Sequence, residues 1–202
     1  MMMAALLACG AQPVRQLLDV QWVATPHSAA TAALDWANVG PHDLFVELGC
    51  GDGRVALEAA RRGARAICVE RDPVLAAEAR ELVGNSSSSV ARRVEVLTAD
   101  MFDTDLTSAT VVFLFLLPEL NARLRTALSD APLLRAVVSH GFEIYGWKCG
   151  ERMRVDDELF LKWEAPFAEQ AQHSSLLPAS IVEHAQDCGV EEEVRRSRSS
   201  TE

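Results

Sequence analysis

The sequence predicts a doubly wound α/β fold: a mostly parallel, seven-stranded sheet with an antiparallel closing hairpin. Three observations lead there. Short apolar runs alternate along the chain with helix-like segments, as repeated β–α units require. The run at 44–48 passes straight into a glycine loop and then a helix. The run at 110–116 is apolar throughout, as a strand covered on both faces must be.

The elements follow in order. Thr25-Pro26 reads as an N-cap followed by proline at the first helical position, opening a helix to about residue 39. Pro41-His42-Asp43 is a turn, 44–48 a buried strand, and 49–53 the glycine loop leading into a helix through 62. A second strand spans 66–70, and Asp72-Pro73 caps a helix to about 83. The alternating segment 94–97 is a third strand and 110–116 the fourth, with a helix over 118–128. A fifth strand covers 134–139, and 142–147 with 159–164 is expected to form the closing antiparallel pair. In such sheets the ligand crevice lies beyond the carboxyl ends of the strands, where every chemically suggestive residue here falls.

Composition sets the outer bounds. A chain of 202 residues is one domain, or one domain with a tail, and is long enough to bury a core without disulfide or metal staples. Hydrophobic residues at 49% and charged residues at 24% exclude a disordered or collagen-like chain. The net charge of −10 argues against tracking phosphate backbones, so no nucleic-acid partner is expected, whereas a basic protein substrate is compatible. Five cysteines (Cys9, Cys50, Cys68, Cys149, Cys188), odd in number and without a C-x-x-C pair, argue against a disulfide framework or a zinc site and for a reducing compartment. The longest apolar run, 109–118, is far short of the roughly 20 residues of a membrane helix, so no membrane insertion is expected.

By composition, 1–24 is a lead-in, 25–167 the domain, and 168–202 a polar acidic tail. The apolar start is followed, not preceded, by Arg15, which is the wrong order for a secretory signal. The absence of acids from the first eighteen residues is compatible with an organelle transit segment, leaving a cytoplasmic or a mitochondrial location open. In the tail, Ile181, Val182, Ala185 and Cys188 share one helical face, and 191–202 reads as solvated chain.

The chemistry concentrates in Glu47-Leu48-Gly49-Cys50-Gly51-Asp52-Gly53-Arg54. Three glycines let the backbone turn sharply and approach a ligand with helix N–H groups pointing at it. A dinucleotide fingerprint would need glycine where Arg54 stands, and Glu47 and Asp52 add negative charge where a pyrophosphate would sit. A cationic ligand suits this loop better. Glu70 ends the second strand 21 residues after Gly49, the spacing at which a carboxylate accepts from ribose hydroxyls; a surface charge is the plainer reading. Asp100 follows the third strand and can accept from an exocyclic amine while Met101 offers a soft face to a purine; alone, Asp100 serves equally as a helix cap. Cys50 enters the loop only as a small residue.

Glu-Leu-Gly-Cys-Gly-Asp-Gly-Arg, then Glu70, then Asp100, resembles a class I S-adenosylmethionine-dependent methyltransferase over about residues 22–166. Several blocks resemble more narrowly the small lysine N-methyltransferases of ATP synthase c-subunit and adenine nucleotide translocase, with their bacterial relatives. These are Val23-Ala24-Thr25-Pro26, the Asp-Gly-Arg end of the loop, Phe113 through Asn121, Val138 through Phe142, and Trp147. The chain departs from the eukaryotic members in having no convincing membrane-targeting stretch before the domain. The resemblance implies S-adenosylmethionine as cofactor, with Glu47, Gly49 and Gly51 around its amino-acid end. It further implies Thr25 closing the methionine end, Glu70 on the ribose, and Asp100 with Met101 on the adenine.

Methyl transfer to a lysine asks for a deprotonated amine, a carboxylate to guide the arriving cation and aromatic faces to hold it. Glu119 and His140 are the acceptor-side candidates, with Phe115, Tyr145 and Trp147 in segments that can border the same pocket. Each has a plainer reading: Glu119 as a first-turn acid, His140 as hydrogen-bonded structure, Phe115 and Trp147 as core. The expected activity is protein-lysine methylation. The alternatives are a methyltransferase for a small molecule or another protein site, and a cofactor-binding scaffold without turnover, with a dehydrogenase last for want of glycine at 54.

Overall fold

A strand buried on both faces has to be apolar on both faces, and the strands that satisfy this condition form the centre of the sheet. The fold is given by a computed structural model, which describes residues 22–167. In chain order its elements are α1 (His27–Trp36), β1 (Leu44–Leu48), α2 (Arg54–Arg61), β2 (Arg65–Glu70), α3 (Pro73–Gly84), α4 (Ser88–Ala91) and β3 (Val94–Thr98). A 3-10 turn (Met101–Asp103) precedes β4 (Val111–Leu114), α5 (Pro118–Asp130), β5 (Ala136–His140), β6 (Glu151–Val155) and β7 (Glu158–Glu164). The sheet order is β3-β2-β1-β4-β5-β7-β6, parallel through β5 and antiparallel for β7 and β6. All four residues of β4 and all five of β5 are buried, whereas β6 at the edge alternates charged and half-buried residues.

Successive residues of a strand feed opposite cores. Phe45 and Phe113 join Ala29, Ala33, Ala56 and Ala60 from α1 and α2 on one face. Val46, Leu48 and Leu114 join Leu120, Leu124 and Leu128 of α5 on the other. Small alanines on α1 and α2 let those helices sit close to the sheet, while the larger leucines of α5 fill the second layer. At the amino end of the strands Arg135 donates to both oxygens of Asp43 at 3.0 and 2.9 Å, and the Thr110 hydroxyl donates to the same carboxylate at 2.8 Å. Burial pushes the Asp43 carboxyl up, but these donors outweigh it and hold it below its ordinary range. That clamp closes the end of the sheet away from the glycine loop. The sheet order reverses between β1 and β4, which places the crevice beyond Leu48 and Leu114.

Three expectations are corrected. The closing hairpin pairs 151–155, not 142–147, with β7. Gly141 and Gly146 adopt φ of 82° and 87°, which breaks a strand there, and Ile144 and Trp147 turn inward to become core. Thr25 does not cap α1: Pro26 is the cap residue without a side-chain bond, and the Thr25 hydroxyl is drawn to His140 instead. Cysteine count and spacing argued against disulfides, yet Cys50 is bonded to Cys68, and Cys149 is disulfide-bonded as well. The reason is tertiary. β1 and β2 are parallel neighbours with Glu47 opposite Cys68, and the glycine loop folds back so that the two cysteine Cα atoms lie 5.4 Å apart. The lone-thiol argument for a reducing compartment goes with it. The tail helix suggested by Ile181 to Cys188 lies outside the described residues.

The Cys50–Cys68 bond closes an 18-residue separation, so its loss is expected to cost about 3 kcal/mol by the chain-entropy relation. Urea unfolding of the oxidised protein against the Cys50→Ala/Cys68→Ala variant, both without reductant so that the bond at Cys149 stays intact, measures it.

Candidate cofactor site

The loop between β1 and α2 is built on three left-handed residues. Gly49, Gly51 and Gly53 have φ of 77°, 54° and 76°, a run that side chains would strain. Close neighbours add a second reason at two of them. A Cβ on Gly51 would lie 1.9 Å from Trp22 Nε1, and one on Gly49 would lie 2.8 Å from Leu116 Cδ2. The lead-in and the segment after β4 therefore both press on the loop. Its backbone is tied down by the Gly49 and Cys50 N–H groups, which both donate to the Val69 carbonyl at 2.9 and 3.0 Å.

The carboxylates sit beneath and around this loop. Glu47 is buried at the end of β1 and accepts from the Ala56 N–H at 2.9 Å, bracing the first turn of α2. Burial pushes its carboxyl well above the ordinary value, with the charges of Asp52 and Glu70 adding to the effect. Glu70 Oε2 accepts from the Gly51 N–H at 2.9 Å and Oε1 from the Asp72 N–H at 2.8 Å. A carboxylate offers about four lone-pair sites, so one on each oxygen remains for a ribose hydroxyl. Asp52 is taken by Arg54, whose Nε lies 3.0 Å from both of its oxygens, so this guanidinium at the loop's exit is paired. Asp100 Oδ1 accepts from the Phe102 N–H at 3.0 Å, which is the capping reading; Met101 beside it is half-buried against the α5-side core.

The acceptor-side candidates fall in two clusters. His140, buried at the end of β5, lies between Phe115 and Phe160 with ring centroids at 3.8 and 4.5 Å. Its Nδ1 is 3.1 Å from Thr25 Oγ1 and its Nε2 is 2.6 Å from Glu158 Oε2. Burial lowers the basicity of this imidazole, and Glu158 opposes the shift in part. Glu119 is exposed in the first turn of α5. It is close enough to Tyr145 that its charge, with that of Glu143, adds to the burial that pushes the phenol up. Trp147 is core, stacked on Phe167 at 5.2 Å. Asn121, fully buried on α5, donates to Ser139 Oγ at 3.3 Å and ties that helix to β5.

The residues brought together are thus Glu47, Gly49, Cys50, Gly51, Asp52 and Glu70 around one loop, with Trp22 and Leu116 against it. Two of these contacts went unread in the sequence. Trp22 carries no motif of its own, and Glu158 sits in Asp156-Asp157-Glu158, which reads as an acidic turn. The arrangement fits a ligand with a ribose and a positive end: acids surround the loop, and the Arg54 guanidinium beside it is already paired with Asp52.

Comparison with known proteins agrees. The family model described as the ANTKMT methyltransferase domain matches residues 47–151. A protein from Saccharolobus islandicus (strain REY15A), named as a protein-lysine N-methyltransferase, is 36% identical over 142 residues, spanning 68% of this chain and 86% of its own. The crystal structure of an RNA methyltransferase from Salinibacter ruber, in complex with S-adenosyl-L-homocysteine, superposes with a TM-score of 0.65 at 36% identity. The match covers 71% of this chain and 94% of that one. A precorrin-6y C5,15-methyltransferase from Geobacter metallireducens GS-15 shares the fold at 16% identity and a TM-score of 0.57, over 72% and 92% of the two chains.

Because the folded protein holds a proton on Glu47 above the ordinary glutamate range, the folded state binds more protons than the unfolded one there. This residue's contribution to stability therefore falls as pH rises from about 4.5 through its folded pKa. Glu47→Gln keeps the acceptor for Ala56 and should flatten that part of a stability-versus-pH curve measured by denaturant unfolding. Glu47→Ala should lose about 1–3 kcal/mol at acid pH by leaving the Ala56 N–H unpaired, and less as pH rises, where ionisation of Glu47 already costs the wild type.

Proposed function

This chain belongs to the ANTKMT methyltransferase domain family and is an S-adenosylmethionine-dependent methyltransferase; on that premise we propose that its acceptor is a lysine amine on a protein. The observation that carries the proposal is the 36% identity, over most of both chains, with a relative named as a protein-lysine N-methyltransferase. An RNA acceptor, the class named for the Salinibacter relative, fits a chain of net charge −10 poorly.

Bound S-adenosylmethionine supplies a sulfonium-borne methyl group open to in-line displacement, so the protein's work is alignment and water exclusion. We assign the amino-acid end to Glu47, Gly49, Cys50, Gly51 and Asp52 under Trp22, with Thr25 closing it. Glu70 takes the ribose through its two remaining lone-pair sites, and Asp100 Oδ2 with Met101 takes the adenine, Oδ1 being held by Phe102. On the acceptor side Glu119, exposed at the mouth of α5, guides the arriving ammonium, and Phe115 offers an aromatic face. The ammonium passes its proton to solvent water on its way in, because the drier space beside these rings disfavours its charge. We assign His140 to positioning and not to proton removal, because both of its nitrogens are already bonded.

Incubating the protein with radiolabelled S-adenosylmethionine and a fractionated eukaryotic cell extract tests the acceptor, with Asp100→Ala as control. Label that maps to lysine in a protein is expected; label confined to RNA or to small molecules would overturn the lysine assignment. Glu70→Ala removes the ribose contacts and the Gly51 brace together, and calorimetric titration should show cofactor affinity down by roughly tenfold or more.

A further inference from the structure

Two stretches of chain touch both the glycine loop and His140. Trp22 lies against Gly51, and Thr25, three residues on and therefore within about 11 Å along the chain, bonds to His140 Nδ1. Leu116 lies against Gly49, and its neighbour Phe115 stacks on the His140 ring. His140 is thus the point from which both walls of the loop are held. Its own orientation is set by the ring stack and by Glu158, which reaches Nε2 from the start of β7.

Hydrogen-bond polarity follows from chemistry. An ionised carboxylate only accepts, so a 2.6 Å contact to Glu158 requires the hydrogen of His140 on Nε2. In the neutral ring Nδ1 is then a lone pair, and the Thr25 hydroxyl must donate to it. The two lone pairs of Thr25 Oγ1 are left to accept. Burial, which disfavours the imidazolium, keeps the ring in that neutral form.

We propose that Glu158 is a positioning residue of the cofactor site: through His140 it makes Thr25 Oγ1 an acceptor only, matched to the positively charged methionine end of S-adenosylmethionine. The inference rests on the placement of Thr25 at that end, and it adds a residue from the hairpin to a site otherwise built at the ends of the parallel strands. Without Glu158 the ring is free to carry its hydrogen on Nδ1. It would then donate to Thr25 and turn the hydroxyl hydrogen toward the ligand's positive charge. Glu158 is about one-third exposed, so its replacement leaves no buried cavity.

The test combines a spectroscopic readout with a double-mutant cycle. Long-range 15N–1H spectra of the wild-type protein should show His140 as the Nε2–H tautomer, and Glu158→Ala should show Nδ1–H populated. In calorimetric titrations with S-adenosylmethionine, Thr25→Val and Glu158→Ala should each weaken binding on the order of tenfold. The double variant should be no worse than either single one, because both changes remove the same contact. Glu158→Gln, whose carbonyl can accept from Nε2–H, should recover most of the affinity lost in Glu158→Ala. An Nδ1–H tautomer in the wild type, or additive losses in the cycle, would overturn the proposal. Weakened binding in Thr25→Val alone would sink the role of Glu158 while leaving Thr25 in place. Wild-type affinity in Thr25→Val would remove Thr25 from the cofactor site and the proposal with it.

Discussion

The left-handed turn at Gly49, Gly51 and Gly53 is the constraint on which the rest of the site depends. Such a turn is open to glycine and costly for other residues, and by itself it is floppy. Rigidity comes from bonds made to its backbone. The Val69 carbonyl takes two N–H groups, Glu70 takes the Gly51 N–H, and Glu47 holds the helix that follows. Each partner sits at the carboxyl end of β1 or β2, so the parallel register of those strands sets the loop's shape. The Cys50–Cys68 bond adds a covalent tie between the same two elements.

Burial and charge pull against each other in those carboxylates. Glu47 is buried close to Asp52 and Glu70, which makes its ionised form unfavourable. A wholly structural loop would gain from replacing such a group by an amide. Under the assignment proposed above, the positive end of S-adenosylmethionine offsets the repulsion among these acids. Arg54 moderates the cluster by holding Asp52.

On the far side of the crevice the organising group is His140. A buried imidazole with both nitrogens bonded and both faces stacked has little freedom, and it links the lead-in, β4, β5 and the β6–β7 hairpin. The antiparallel addition to a parallel sheet thus bears on the site as well as closing an edge. β7 brings Phe160 opposite His140 in register and Glu158 to its outer nitrogen.

The sequence by itself determined the order of the elements, the glycine loop and the acids at the strand ends, because these follow from local rules. A strand covered on both faces must be apolar, a left-handed turn favours glycine, and proline opens α3 and α5. It was silent or misleading wherever a residue's partner lies far along the chain. Thr25 beside Pro26 looks like a cap until His140, 115 residues away, competes for its hydroxyl. Cys50 and Cys68 look like lone thiols until parallel pairing brings their strands together. The segment 142–147 looks like a strand until two left-handed glycines and the inward pull on Ile144 and Trp147 prevent it. Glu158 looks like a turn acid until the hairpin aims it at a buried imidazole. Only the tertiary structure decides such matters, because a side chain with several chemically adequate partners takes the one that packing brings within reach.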